Sequence, residues 1–305
     1  MTYPTSNLNT DYHIPVLFQE TIAHLNIIPD GIYVDATFGG GGHSRGILSK
    51  LGPKGKLIAF DQDAEAARNV PQDDRLIFVP QNFRFVKNWV ELHGFQQVDG
   101  ILADLGVSSH QFDSGERGFS IRFNGPLDMR MNQSSGISAD EWINKSSVQE
   151  ITDALRMYGE LDGAYKVAKE IDMYKPLGTT QALIDCTQSF AKRGKEKQFL
   201  AQMFQAFRMV VNDEIAVLKE FLQQSLELLA PEGRLVVISY HSLEDRLVKD
   251  FLRSGNLEGE MKKDFFGNLE RQIEPVKSKP ILPSQEEIER NSRSRSAKLR
   301  VGQKK

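Results

Sequence analysis

Short apolar runs alternate with helix-like segments along the first third of the chain. The runs are GIYVDATF (31–38), GKLIAFDQD (55–63), RLIFVPQNF (75–83) and VDGILADLG (98–106), and helical candidates begin near Gly42, near Ala64 and at RFVKNWVELHG. Strands alternating with helices predict a parallel sheet with crossover helices. Because the runs are apolar almost throughout, rather than at every second position, we expect both faces of the sheet to be covered.

A helical pattern interrupts this alternation. Residues 112–135 lack periodicity and predict a long loop, and the S-x-x-E pairs that begin at Ser138 and Ser147 predict helix starts. The α/β pattern returns with a helix-period stripe in 212–230, a break at Pro-Glu-Gly and the strand-like RLVVISYHS (234–242). The sequence therefore predicts an all-helical insert, residues 116–211, within a discontinuous α/β domain formed by residues 1–115 and 212–305.

Four consecutive glycines, residues 39–42, separate the first strand from the first helix of the sheet domain. Open α/β sheets bind ligands at this edge, and glycines let a ligand lie against bare backbone. The dinucleotide pattern G-x-G-x-x-G fails, since its third glycine falls on Ser44 or Arg45, and no P-loop is present. A ligand with a ribose but no pyrophosphate fits better, which favours S-adenosylmethionine.

Candidate ligand residues follow the other strands. Asp61 lies 22 residues after Gly39, where a carboxylate can accept hydrogen bonds from ribose hydroxyls, and Asp63 is its rival although it suits a helix cap better. Phe83 is either an adenine contact or a core residue. Asp104 ends the fourth strand, where methyltransferases of this architecture place the acceptor atom.

Composition limits the location and the partners. The single cysteine, Cys186, excludes a disulfide framework, and the six histidines show no zinc spacing, so no metal is predicted. The polar stretch 1–12 lacks a signal-peptide core and predicts a disordered leader, and no apolar run is long enough for a membrane span. A cytoplasmic protein is expected. The net charge is −3, although residues 290–305 carry seven basic residues and no acid, which indicates local basic patches or a solvated tail.

Eight motifs in order resemble the bacterial ribosomal RNA small subunit methyltransferase H family. They are HIPVL (13–17), DATFGGGGHS (35–44), DLGVSSHQFD (104–113), RGFS (117–120), PLDMRM (126–131), FQAFR (204–208), ISYHSLEDR (238–246) and NSRSRSAKLR (291–300). The resemblance implies a class I S-adenosylmethionine-dependent methyltransferase fold, Rossmann-like and mostly parallel, with a helical insert. It implies methylation of the exocyclic amine, N4, of one cytidine in the decoding region of 16S rRNA, within the small ribosomal subunit. No obligate protein partner is inferred from the sequence.

The same resemblance implies a set of cofactor-binding positions. They are Gly41, Gly42, His43, Asp61, Phe83, Asp104 and Gln111. Asp104 is also our catalytic candidate, either orienting the methionine moiety or accepting a hydrogen bond from the acceptor amine. His43 bonds the cofactor carboxylate or caps the helix. The chain departs from the family at QFLAQM (198–203), where a His-Pro-Ala-Thr-Lys/Arg-like segment is common.

RNA contacts are predicted at Arg117 and Arg130 in the long loop, at His241, and at Arg293 and Arg295. Basic residues among aromatic ones suit an unstacked base. The alternatives are a loop plug between the domains, a strand-end turn at His241 and an edge strand at AKLRV. Rival functions are a nicotinamide-dependent oxidoreductase, which the missing glycine opposes, a non-catalytic RNA-binding protein, and a methyltransferase of DNA or protein.

Overall fold

The computed structural model describes residues 15–267 and 269–305. The polar stretch 1–12 and the first two residues of HIPVL lie outside the described residues. The chain divides into two compact units, one formed by Met1–Gly106 with Val217–Lys305 and the other by Val107–Ala216. We call the first the sheet unit and the second the helical unit. The domain limits predicted from the sequence, with residues 116–211 as the insert, stay a prediction.

A seven-stranded sheet forms the centre of the sheet unit, in the order β3-β2-β1-β4-β5-β7-β6. The first five strands in this order pair in parallel, whereas β7 is antiparallel to both of its neighbours. The strands are β1 (Ile32–Asp35), β2 (Lys56–Phe60), β3 (Leu76–Val79), β4 (Val98–Asp104), β5 (Leu229–Ser239), β6 (Ile273–Pro275) and β7 (Lys298–Lys304). The mostly parallel sheet predicted from the apolar runs is thereby confirmed.

Both faces of the sheet are buried, as the apolar runs predict. Neighbouring residues of one strand belong to separate core clusters: Tyr33 packs with one and Val34 with the other, and Leu57 and Ile58 divide in the same way. Helical residues cover each face, Ile47 and Leu48 on the first and Val86 and Val90 on the second. This two-sided burial explains why the strands read as continuous apolar runs rather than alternating ones.

The helices account for most of the remaining described chain. In the sheet unit they are α1 (Phe18–His24), α2 (Gly42–Leu48), α3 (Val86–Leu92), α11 (Ser242–Ser254) and α12 (Gln285–Arg290), and α10 (Glu214–Leu228) runs across the division. The helical unit holds α4 (Ser109–Asp113), α5 (Ala139–Lys145), α6 (Val148–Met157), α7 (Ala164–Tyr174), α8 (Thr180–Thr187) and α9 (Glu196–Val211). Short 3-10 helices span Ala64–Asn69, Phe83–Phe85, Gly115–Arg117, Gln188–Phe190 and Ser292–Ser296.

The helical unit has its own apolar core and clear helix starts. Its core includes Ile151, Leu155, Met203 and Phe207, all essentially inaccessible to solvent. Ser138 and Ser147 cap α5 and α6 as predicted, and at Ser147 the side chain of Glu150 also accepts the backbone N–H of the cap residue. Capping of this kind satisfies N–H groups that the first helical turn leaves free.

The helix of 212–230 ends at Leu228, shortly before the break predicted at Pro-Glu-Gly, but residues 231–233 lie within β5 rather than between the helix and the strand. The strand accommodates them through an irregular register against β4, where Val98 pairs with Leu229 but Gly100 pairs with Arg234. Glu232 takes a left-handed conformation there, with φ of 66°. The turn chemistry of Pro-Glu-Gly is therefore used inside a bulged strand rather than between two elements.

The basic C-terminal segment is neither a solvated tail nor an edge strand. Its strand β7 lies between β5 and β6, and Arg300 is buried. The Arg300 guanidinium donates to both carboxylate oxygens of Asp245 in α11, at 2.6 and 3.2 Å, and the Lys298 ammonium lies 3.3 Å from the same carboxylate. The basic residues of this segment therefore include cations that join the last strand to a helix of the sheet unit.

None of the helices within residues 15–267 and 269–305 is both long and apolar enough to cross a membrane.

Replacement of Asp245 by Asn should destabilise the sheet unit. Burial raises the pKa of the Asp245 carboxyl, but hydrogen bonds and charges from Arg300 and Lys298 outweigh it and hold the pKa below its ordinary value. Removing one partner of a buried pair leaves the other charge uncompensated, so Asp245→Asn should lower the free energy of unfolding by about 2–4 kcal/mol in urea denaturation at pH 7.

The sign of the pH dependence follows from the lowered pKa. The stabilisation is present above the ordinary carboxyl pKa, about 3.9, and is lost as the pH falls through the lower folded value. The matched control is Asp250→Asn on the same helix, whose ion pairs with Lys249 and Arg253 are longer and more exposed. Equal losses for the two variants, or a loss for Asp245→Asn that grows in acid, would contradict the assignment.

Candidate functional site

Three aspartates mark the carboxyl ends of three neighbouring strands. Asp35 is the last residue of β1, Asp61 directly follows β2, and Asp104 is the last residue of β4. Because β1 pairs in parallel with both β2 and β4, these ends meet at one edge of the sheet. This edge, where open α/β sheets bind ligands, is the candidate site of the sheet unit.

The glycine loop, residues 39–42, is held at this edge by Asp61. One carboxylate oxygen of Asp61 accepts the backbone N–H of Gly39 at 2.7 Å, and the other accepts that of Asp63 at 2.8 Å. The loop then turns through Gly41, which has φ of 72° and precedes the first residue of α2. A single carboxylate thus ties the end of β2 to the loop that follows β1.

The glycines of the loop do not all have the same reason to be glycine. A Cβ on Gly42 would collide with the ring of Pro15, so close packing alone requires a glycine there. A Cβ on Gly39 would instead have no neighbour nearer than the Thr37 carbonyl oxygen at 4.0 Å. The backbone beside Gly39 is therefore open to a ligand, whereas Gly42 serves the packing of the chain.

Burial changes the acidity of Asp61. Removal from solvent raises the pKa of this carboxyl to about 6, against the hydrogen bonds from Asp63 and Gly39, which lower it. The group is mostly ionised at neutral pH and protonates in mild acid. A ligand that needs its carboxylate form will therefore bind with a pH dependence near this value.

Asp35 supports the site from within the core and escaped prediction. It is fully buried, and its carboxylate accepts the Ser44 hydroxyl at 2.7 Å and the Thr37 N–H at 3.1 Å. Burial raises its pKa, and the Ser44 hydrogen bond is the largest contribution in the opposite direction. The sequence does carry a signal for Asp35, a polar residue that ends an otherwise apolar strand.

Asp104 meets a tyrosine that the sequence did not single out. The Tyr240 hydroxyl, just after β5, donates to Asp104 Oδ1 at 2.8 Å, and the Asp104 N–H donates to Thr37 Oγ1 at 2.7 Å. Tyr240 lies inside the quoted motif ISYHSLEDR, one residue past a strand end, so its position was a usable signal. Tyr240, Asp104 and Thr37 therefore form a hydrogen-bonded network beside the other predicted site residues.

His43 lies in the first turn of α2, buried against Phe18 with the ring centroids 6.0 Å apart. Its Nε2 is 3.5 Å from Asp104 Oδ2, and neither ring nitrogen makes a hydrogen bond within the part of the chain that the structure describes. The helix-cap alternative is wrong, because the N-cap is Gly41 and no side chain caps the helix. A buried imidazole with unused nitrogens is a natural ligand contact.

Asp63 and Phe83 have clear structural roles. The Asp63 carboxylate caps the 3-10 helix Ala64–Asn69 by accepting the Glu65 N–H at 3.1 Å, as its position suggested. Phe83 begins another 3-10 helix and packs edge-on against Phe221, with the centroids 5.1 Å apart, at the margin of the core. It is only partly buried, and its adenine contact stays a prediction.

Three predicted site residues belong to the helical unit. Gln111 is buried and accepts the Ser108 N–H at 3.0 Å. Arg117 is also buried, and its guanidinium donates to the carbonyls of Arg130 and Met131, which holds the long loop together. The Arg130 side chain pairs with Asp128 at 2.7 Å. Their ligand and RNA roles stay predictions.

The remaining predicted RNA contacts, His241, Arg293 and Arg295, lie in the sheet unit. His241 is the N-cap of α11, and its Nε2 lies 3.0 Å from the buried Glu244. Arg293 and Arg295 lie on the 3-10 helix Ser292–Ser296, where Arg295 is exposed and Arg293 half-buried. Arg295 is the member of this group most available to a phosphate.

The described residues of the sheet edge define its chemistry. Carboxylates at Asp61 and Asp104 suit hydroxyl, amine or cationic groups of a ligand. Neither His43 nitrogen makes a hydrogen bond within the described residues, although Nε2 lies 3.5 Å from Asp104 Oδ2. Arg45 of α2 also borders the glycine loop, where its guanidinium donates to the Gly40 carbonyl at 2.7 Å. The two carboxylates favour a ligand that presents hydroxyl, amine or cationic groups to them.

Comparison with known proteins gives a consistent match over almost the whole chain. The model of the MraW methylase family matches residues 10–305. Proteins named ribosomal RNA small subunit methyltransferase H are similar in sequence. The one from Parabacteroides distasonis is 52% identical, over 96% of this chain and 97% of its own. Those from Bacteroides fragilis and Flavobacterium johnsoniae are each 50% identical, over 97% and 96% of this chain and 98% of their own.

Two of the solved structures that are similar to the chain show distant similarity. An rRNA methylase from Streptococcus thermophilus is 12% identical with a TM-score of 0.41, covering 93% of this chain and 92% of its own. A SAM-dependent O-methyltransferase from Thermotoga maritima is 11% identical with a TM-score of 0.40, covering 97% and 68%. Likeness at this level supports no inference about substrate or site.

Removal of the Ser44 hydroxyl tests whether its hydrogen bond to the buried Asp35 carboxylate stabilises the fold. Ser44→Ala leaves one oxygen of the buried Asp35 carboxylate without its side-chain donor, and an unsatisfied buried group costs about 1–3 kcal/mol of stability. Urea denaturation at pH 7.5 should show this loss. Because the hydroxyl lowers the pKa of Asp35, the loss should shrink in acid, where the carboxyl is protonated.

Ser49→Ala is the matched control on the same segment. The Ser49 hydroxyl donates to the Gly46 carbonyl at an exposed position, so its loss should change the free energy of unfolding by less than about 0.5 kcal/mol. Similar losses for Ser44→Ala and Ser49→Ala would show that the Asp35 contact does not stabilise the fold.

Proposed function

The chain belongs to the MraW methylase family, and on this premise we propose that it methylates N4 of one cytidine in the decoding region of 16S rRNA. The membership confirms the predicted S-adenosylmethionine-dependent methyltransferase class. The observation that carries the proposal is the convergence of Asp61, His43 and Asp104 on one sheet edge beside the glycine loop. A donor and an acceptor can meet there.

The residues present fit the donor. When bound, S-adenosylmethionine supplies an electrophilic methyl group on a positively charged sulfur. The open backbone at Gly39 lets a ribose approach the Asp61 carboxylate, which has acceptor capacity for hydroxyls beyond its two backbone donors. The unused nitrogens of His43 suit the amino-acid end of the donor. Gly41, Gly42, Phe83 and Gln111 join this set on the family resemblance.

Asp104 is the residue we place at the acceptor. The amine of cytosine is a poor nucleophile because its lone pair is delocalised into the ring. A carboxylate that accepts a hydrogen bond from the amine N–H frees electron density on nitrogen and can take the proton that the amine must release. Asp104 Oδ2 is the oxygen that Tyr240 does not hold, so we assign this role to it.

We propose RNA contacts at the predicted arginines and at His241, the N-cap residue of α11. Arg295 is exposed, and Arg293 and Arg130 are partly accessible, so each can meet a phosphate or an unstacked base. His241 stays in this set from its position after β5, although its ring is mostly buried beside Glu244. Arg117 contributes by fixing the backbone of the loop that carries Arg130. We place the reaction in the cytoplasm on 16S rRNA within the small ribosomal subunit.

The product identifies the acceptor atom directly. Incubation of the protein with small subunits that lack its methylation and with labelled S-adenosylmethionine, followed by digestion to nucleosides, should yield labelled N4-methylcytidine. Mass spectrometry of RNA fragments should place it at one decoding-region position. A label in 5-methylcytidine, in a ribose-methylated nucleoside or in protein would contradict the proposed acceptor, and an unlabelled product would contradict the enzyme assignment.

The affinity for S-adenosylmethionine should depend on pH through Asp61. The pKa of this carboxyl is about 6 in the free protein, and its ionised form accepts the ribose hydroxyls. Lowering the pH from 7.5 to 5 should therefore weaken binding about tenfold in isothermal titration calorimetry. Asp61→Asn should bind more weakly at pH 7.5 and lose the pH dependence.

Asp63→Asn is the matched control. Its side chain caps a 3-10 helix, while the N–H that reaches Asp61 belongs to the backbone and remains in place. This variant should keep the wild-type affinity at pH 7.5 and still lose affinity in acid, with the loss moved to a lower pH because the charge of Asp63 helps to raise the pKa of Asp61. A wild-type affinity that does not change between pH 7.5 and 5, or full affinity in Asp61→Asn, would show that Asp61 does not bind the donor.

A further inference from the structure

We propose that Tyr240 is a positioning residue, whose hydroxyl fixes the Asp104 carboxylate for the acceptor amine. The proposal rests on the function proposed above and adds a residue to it. The Tyr240 hydroxyl donates to Asp104 Oδ1 at 2.8 Å, and this contact joins the end of β5 to the end of β4. Both residues belong to the sheet unit.

The backbone around Tyr240 is held in place. The Tyr240 N–H donates to Glu244 Oε2 at 3.0 Å, and Glu244 is buried in the first turn of α11. Gly106 follows β4 with φ of 106°, and a Cβ there would lie 3.5 Å from the Tyr240 ring. The ring therefore packs beside the turn after β4, and the backbone N–H of Tyr240 is held by the start of α11.

The hydroxyl acts as a donor and not as a base. Burial, followed by the charge of Asp104 and its hydrogen bond, raises the pKa of Tyr240 well above the ordinary value. The proton thus stays on the tyrosine oxygen at neutral pH, and Asp104 Oδ1 receives a hydrogen bond. With the Asp104 N–H bonded to Thr37, both the main chain and one carboxylate oxygen are fixed. Oδ2 is then presented in one orientation.

Strand order separates the acceptor from the donor. Asp61 follows β2, and the glycine loop follows β1, whereas Asp104 and Tyr240 follow β4 and β5 on the other side of β1. A nucleoside over the ends of β2 and β1 leaves the ends of β4 and β5 for the second reactant. Tyr240 contacts Asp104 from the side away from Asp61, so its loss should affect turnover more than donor affinity.

The test is Tyr240→Phe in the full-length protein, which removes one oxygen and keeps the ring. With unmethylated small subunits, kcat should fall about 10–100-fold, because a misoriented group costs rate even when it is present. The Kd for S-adenosylmethionine, measured by calorimetry, should stay within about twofold of wild type, as expected for a group that does not touch the donor.

Tyr33→Phe is the matched control, a buried tyrosine of β1 whose hydroxyl accepts the Ile28 N–H at 2.9 Å outside the site. It should keep the wild-type kcat. Wild-type kcat in Tyr240→Phe would overturn the proposal, as would a loss of donor affinity that accounts for the whole loss of rate.

A second measurement tests the contact between Tyr240 and Asp104 through stability rather than activity. The urea midpoints of Tyr240→Phe, Asp104→Ala and the double variant should be non-additive, because the two side chains touch. Additive midpoints would overturn the contact. If wild-type protein methylates no cytidine while the midpoints are non-additive, the function proposal fails and the Tyr240–Asp104 contact stands, so the two failures are distinguishable.

Discussion

The hydrogen bond from the Gly39 N–H to the Asp61 carboxylate organises the site. It joins the end of β2 to the loop after β1, so the Asp61 carboxylate and the open backbone at Gly39 are held next to each other. The same carboxylate accepts the Asp63 N–H, which continues into a capped 3-10 helix. A buried acid with a raised pKa is tolerated here because two backbone donors satisfy it, and the cost of its burial is what makes the group sensitive to mild acid.

The sheet edge carries two chemical environments because the strand order reverses at β1. Towards β2 lie Asp61 and the glycine loop, and towards β5 lie Asp104 and Tyr240. Asp35, between them, is fully buried and satisfied by Ser44 and Thr37, and Thr37 also accepts the Asp104 N–H. A buried polar network of this kind is rigid only when each member has a partner, and His43 is the member whose nitrogens still lack one among the described residues. That exception lies where a ligand is expected.

Much of the sheet could be predicted from the sequence because its strands are buried on both faces, and continuous apolar runs such as KLIAF report that burial directly. Asp61 was predictable from its spacing after the glycines. The positions of Tyr240 and Asp35 at strand ends are visible in the sequence, but their hydrogen-bond partners are not, since these depend on which strand ends are neighbours in space. β7 was misjudged because its basic residues indicate solvent, whereas Arg300 lies buried against Asp245. The packing of Gly42 against Pro15 could not be predicted either, since it depends on a contact between segments far apart in the sequence, and the cofactor contact of Gly42 stays a prediction.

A crystal structure of the protein with S-adenosylhomocysteine, the product form of the donor, would test the donor site most directly. We expect ribose hydroxyls within hydrogen-bond distance of the Asp61 carboxylate, the adenosine against the backbone at Gly39, and the amino-acid end beside His43. An adenosine bound at another edge of the sheet, with the Asp61 carboxylate making only its two backbone contacts, would contradict this expectation.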